Sequence, residues 1–141
     1  MITVNLNALQ LTEFTGKTDP TQHCYATFPM LGAHGTKHLA TVYFELEPGK
    51  KLGRHTDSAE ELLLVLEGTV EASVGSEKGT LSRGEIALVP AMVPHDLRNT
   101  GNVKAKVLGF FGGANHIVAT FDQTWLPTGS NTVDTARVFA D

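Results

Sequence analysis

Short runs of Val, Leu, Ile, Phe and Thr recur along the chain, each closed within a few residues by Gly, Pro or Asn. Over residues 40–47, Val42, Phe44 and Leu46 alternate with Tyr43, Glu45 and Glu47, the period-two pattern of a strand with one buried face. Leu62-Leu63-Leu64-Val65-Leu66 is apolar at every position, which predicts a strand held between two packed layers. Glu67-Gly68 turns this run into 69–74, which alternates again, and Gly75-Ser76-Glu77-Lys78-Gly79 predicts a second turn. Ile86-Ala87-Leu88-Val89 stops at Pro90, and 93–97, 104–111 and 116–121 read as later strands. No helical period stands out in the centre. The tail, 125–141, reads as an extended arm with a short turn of helix at 134–139. Short strands with frequent turns predict an all-β sandwich or barrel. Without repeats, linkers or low-complexity tracts, the chain is expected to be one domain. Its barrel core covers about 38–121, with arms at 1–37 and 122–141.

A chain of 141 residues buries roughly two thirds of its unfolded surface and needs no covalent staples. It is 41% hydrophobic and 18% charged, with a net charge of −4 and no Lys/Arg cluster, so neither nucleic acid nor an anionic membrane is an expected partner. The lone Cys24 cannot make an internal disulfide, which fits a reducing compartment, and nothing around it marks a reactive thiol. The first seven residues lack the basic-then-apolar pattern of a secretory signal, and 62–66 is too short to span a bilayer. A cytoplasmic location is the expectation.

Chemistry concentrates where 49–61 meets the apolar run. His55 and Asp57 stand two apart, so on a strand they share one face. Glu61 follows a short polar turn, and His95 lies where a second hairpin can bring it to the same point. Gly49, His55, Glu61 and Gly68, then Gly84, Pro90, His95 and Asn99, keep every spacing of two successive motifs. With them the chain resembles the cupin superfamily, in particular the small single-domain, quercetin dioxygenase-like barrels. The resemblance implies a double-stranded β-helix, or jelly-roll barrel. Two positions depart from the pattern: Asp57 stands where a histidine is usual, and Met92 where the second motif has its inner glycine.

The resemblance implies a divalent transition metal (Fe, Mn, Ni or Zn) held by His55, Asp57, Glu61 and His95. His55, Glu61 and His95 alone make the two-histidine, one-carboxylate set used by non-haem iron. Asp57 either joins as a ligand, orients a ligand histidine or a water, or caps the turn at Ser58-Ala59. Glu60 is read as a solvated carboxylate, since adjacent strand residues face opposite ways. His116 is a structural or surface histidine, or an acid–base group at a pocket mouth. Met92, Phe110, Phe111 and Trp125 are read as core or subunit contact rather than pocket wall. The expected function is action on a small-molecule substrate in the barrel, as a dioxygenase if the ion is redox-active or as a metal-dependent isomerase if not. A cupin that only holds or senses a small molecule is the alternative from another class. His55-x-Asp57…His95 also fits the triad of 2-oxoglutarate oxygenases, which leaves Glu61 unexplained. A homodimer is expected from the resemblance.

Overall fold

A computed structural model of the chain describes residues 1–138. Twelve strands form one antiparallel sheet that curls into a nearly closed barrel. They are β1 (Thr12–Gly16), β2 (His23–Thr27), β3 (Leu39–Leu46), β4 (His55–Asp57), β5 (Glu61–Glu67), β6 (Thr69–Val74), β7 (Glu77–Ser82), β8 (Ile86–Val89), β9 (His95–Asn99), β10 (Ala105–Gly112), β11 (Val118–Leu126) and β12 (Ser130–Asp134). The order across the sheet is β7-β6-β9-β4-β11-β1-β2-β3-β10-β5-β8, with β12 paired to β11. Two single-turn 3-10 segments, Leu6–Ala8 and Gly32–His34, are the helical elements among the described residues. None of these is long and apolar enough to cross a membrane.

The predicted jelly-roll architecture is present, but the alternation in β3 holds only in part: Tyr43, expected on the polar face, is 2% exposed, and Val42 is half-buried. Phe44 and Leu46 are buried from β3, and Val70 from β6. The core also holds Leu63, Val65, Leu97 and Val107, each 1% exposed or less. Burying a side chain of this kind contributes roughly 1.5–3 kcal/mol. The motif glycines and Asn99 have structural work. Gly68 has φ 80°, and a Cβ there would lie 2.9 Å from the Ala105 Cα, so the turn requires glycine. The Asn99 amide donates to the carbonyls of Leu46 and Val103, both at 2.8 Å, and ties together the loops at one end of the barrel.

Several expectations are corrected. β5 is not covered on both faces: Leu63 and Val65 are buried, but Leu62 is 44% exposed. The turn after β6 is tighter than 75–79, because Glu77, Lys78 and Gly79 already belong to β7. The N-terminal segment expected as an arm supplies β1 and β2, which sit between β11 and β3. In the tail, Trp125 is a strand residue of β11 and β12 folds back on it, while 135–138 is a turn rather than helix. Phe139, at the end of the expected helical turn, lies outside the described residues. Sequence periodicity misses β1, β2, β4, β7 and β12, which are short or carry many polar residues.

Candidate metal centre

Strand register brings the four residues together. His55 on β4 lies opposite His95 on β9 and opposite Phe121 on β11, making a row of three inward rings. The His55 ring is 4.1 Å from that of His95 and stacks on Phe121 at 4.3 Å and 18°. Asp57, two residues on, faces the same way, and Glu61 opens β5 opposite Phe111 and Val89. His55, Asp57, Glu61 and His95 are 5%, 3%, 3% and 1% exposed. Glu60 is exposed.

Both histidines are held the same way. The His55 Nδ1 lies 2.7 Å from the Gly53 carbonyl and the His95 Nδ1 2.9 Å from that of Val93. A carbonyl only accepts, so each Nδ1 carries the hydrogen and donates it. The Nε2 of a neutral ring then turns a lone pair inward. The His95 Nε2 lies 3.0 Å from the Asp57 Oδ2 and 3.6 Å from the Glu61 Oε1, and the His55 Nε2 lies 3.7 Å from the Asp57 Oδ2. Donor atoms of His55, Asp57 and His95 all fall within 4.8 Å of one another, with Glu61 beside the His95 edge of that group. Despite their short separation, His95 Nε2 and Asp57 Oδ2 are both buried without a hydrogen-bond partner. At 3.0 Å in a buried site, a carboxylate oxygen and an imidazole lone pair are satisfied either by a proton held between them or by a cation.

The electrostatics agree. Burial holds His55 down to about 4 and pushes the Glu61 carboxyl up to about 7. Burial also opposes charge on His95, but the carboxylates of Asp57 and Glu61 outweigh it and lift the ring to about 10. The cluster is short of positive charge and draws protons to supply it. Two imidazole nitrogens with two carboxylates suit a divalent first-row ion, and the residues present fit one.

Backbone details fix this arrangement. Gly53, with φ 96°, donates its N–H to the Asp96 Oδ1 at 2.8 Å and offers its carbonyl to His55, so Asp96 orients the imidazole through the Gly53 backbone. Gly109 on β10 lies under the Glu61 carboxylate: a Cβ at 109 would collide with the Glu61 Oε2. An isolated glycine inside the apolar run 107–111 was the sequence signal for this close approach. Met92 adopts φ 64°, the left-handed conformation its motif reserves for glycine, and its N–H donates to the Asp57 carbonyl at 2.8 Å.

The cluster forms the floor of a cavity of about 560 Å³ inside the barrel. Phe111 and Trp125 are buried in the hydrophobic core, as expected, and also line the cavity, while Met92 and Phe110 are 61% and 41% exposed. Cys24 also lines it, with burial pushing its thiol up to about 12. His116 sits outside the cavity on the exposed loop before β11 rather than on a strand, bonded to Asn115. Arg54 faces solvent near Asp122, and Arg98 is exposed.

Residues 42–111 match the family model described as Cupin domain, and the chain belongs to the cupin superfamily. An uncharacterized protein of Methanocaldococcus jannaschii is 33% identical over 51 residues, a match spanning 36% of this chain and 41% of that protein. Among solved structures, a putative sugar phosphate isomerase from Acidithiobacillus ferrooxidans has a TM-score of 0.66 at 18% identity, over 94% of this chain and 90% of that one. A mutant of Bacillus subtilis oxalate decarboxylase has a TM-score of 0.63 at 18% identity, over 71% of this chain but only 28% of that one. The cupin domain of Schizosaccharomyces pombe Cnp3 has a TM-score of 0.66 at 12% identity, over 79% and 74%. At these identities the likeness is one of fold.

Proposed function

We propose that this cupin binds a divalent first-row metal ion through His55, Asp57, Glu61 and His95 and acts there on a small molecule held in the barrel. The facing, unpartnered Asp57 Oδ2 and His95 Nε2 carry the reading. When bound, the ion supplies a Lewis-acidic centre and, if redox-active, dioxygenase chemistry. The chain's own part is to hold two imidazole lone pairs inward through their Nδ1 hydrogen bonds. Asp57 and Glu61 bring two negative charges to balance a divalent ion. The apolar wall keeps water from the ligand's body. Glu61 beside His95 supports this four-group site over the three-group site of a 2-oxoglutarate oxygenase. The test is elemental analysis of protein purified without chelator, beside His95→Ala. About one ion per chain is expected in the parent and less than about a tenth of that in the variant. Equal, near-zero metal in both would sink the reading. Oxygen uptake by loaded protein over a panel of small apolar substrates then separates turnover from simple ligand holding.

A homodimer belongs to the same proposal. On the outer face of β8, β5 and β10, Ile86, Leu88, Leu62 and Phe110 are 60%, 55%, 44% and 41% exposed. Leu62 pairs with Leu88 on one side and Phe110 on the other, so these side chains adjoin. Adjoining exposed apolar side chains of this kind mark a contact surface. A second copy of the chain covers it.

A further inference from the structure

Five of the seven phenylalanines and the single tryptophan line the cavity. Phe121 stands against His55, Trp125 meets Phe121 edge-on at 5.4 Å, and Phe14 meets Trp125 edge-on at 6.2 Å. This aromatic wall suits a flat apolar body. The charged side chains that line the cavity besides the histidines are Asp57, Glu61, Asp134 and Arg137. Arg137 is therefore the permanent cation among the described lining residues.

Its position follows from register. Val133 on β12 lies abreast of Ala119 on β11, which lies abreast of Asp57 on β4. Two strand spacings separate β12 from the Asp57 strand, roughly 10 Å. The turn after β12 brings Arg137 to the wall of the same cavity that His55, Asp57, Glu61 and His95 line. Among the described residues, the ion pair of Arg137 is a 3.7 Å approach of Nε to the Asp134 Oδ2 within the same turn. Asp134 also caps that turn by accepting from the Ala136 N–H at 3.0 Å. The two Nη groups of the guanidinium remain for a fork-shaped acceptor such as a carboxylate.

We infer that the cavity takes an apolar, ring-bearing carboxylate, with Arg137 as the residue that selects its charge. The inference rests on the reading of the cavity as a small-molecule site. The Arg137 side chain is 85% exposed, so water screens the contact and the preference is modest, about five-fold.

The probes are 3-phenylpropanoate and 3-phenylpropanamide, matched in shape and differing in charge. Trp125, the single tryptophan, reports binding by its fluorescence. Parent protein is expected to bind the acid about five times more tightly than the amide. In Arg137→Gln the ratio is expected to fall to about one with the amide's affinity unchanged, and Arg137→Lys is expected to recover part of it. No response to either probe, equal affinities in the parent, or a preference that survives in Arg137→Gln each overturns the inference. The titration is run with and without chelator. A charge preference in metal-free protein upholds this inference even where elemental analysis has refuted the metal reading.

Discussion

At the floor of the cavity, His55, Asp57, Glu61 and His95 are each 5% exposed or less and sit on strands whose register sets their neighbours. At the mouth, Thr128 and Arg137 lie on or beyond the β11–β12 hairpin and face water. The floor is preorganised: each imidazole is oriented by a backbone carbonyl, and burial makes unpaired charge costly. The mouth offers one cation, screened by water. Changes at the floor should therefore alter whether anything binds, and changes at the mouth only what binds.

Gly109→Ala is the sharpest way to break the floor without touching a ligand. The new methyl meets the Glu61 carboxylate and also approaches a Val42 methyl to 2.9 Å. The carboxylate is the flexible end of a side chain, so the fold survives while the donor shifts. Metal affinity is expected to fall about 10- to 100-fold, as for loss of an orienting contact. Competition with a chromophoric chelator measures it; unchanged affinity would remove Glu61 from the donor set.

pH offers a second way to probe the floor. In metal-free protein His95 is lifted from 6.5 to about 10, so between those values the folded state keeps a proton that the unfolded chain has released. That stabilisation is complete below 6.5 and is lost as pH rises through about 10. Glu61, raised from 4.5 to about 7, acts with the same sign at lower pH. His55 acts oppositely: held down to about 4, it contributes above 6.5 and its contribution is lost as pH falls through about 4. Thermal unfolding of chelated protein should therefore show a midpoint that drops by several degrees from pH 7 to 10. A bound ion needs deprotonated ligands, so it should level that drop. A midpoint that rises with pH in chelated protein contradicts the shared-proton picture.

The same division explains what was legible in the sequence. His55, Asp57, Glu61 and His95 were readable because strand alternation and motif spacing settle their faces. The apolar runs gave an all-β sandwich or barrel, and the resemblance narrowed it to a jelly roll. Arg137 was not readable: it belongs to no period, and its place depends on how β12 folds back on β11. Trp125 looked like core because an aromatic in a strand packs inward whether the interior is filled or hollow, and only three-dimensional packing decides which. The apolar run of β5 misled about burial: a strand apolar at every position reads as covered on both faces, yet Leu62 is 44% exposed while Leu63 and Val65 are buried.

That outer face supports the cavity wall from behind, and Leu88→Glu tests it. The substitution places a charge on the apolar patch opposite Leu62. Sedimentation should show a dimer in the parent and a monomer in the variant, with metal content unchanged. A parent that stays monomeric at high protein concentration overturns the homodimer.

Met92→Gly should have the smallest effect, and it separates fold from site within the floor itself. Met92 holds φ 64° with its side chain 61% exposed, so the methionine gains little from packing. A non-glycine residue in that conformation costs roughly 1–2 kcal/mol. Glycine removes the strain but adds freedom to the unfolded chain, which returns part of the gain. The net stabilisation is expected to be about 0.5 kcal/mol, a rise of one or two degrees in the unfolding midpoint. The Met92 N–H that holds the Asp57 carbonyl is kept by glycine, so metal affinity should not change. A loss of affinity with the stability gain intact would mean that the methionine side chain, and not its backbone, steadies Asp57.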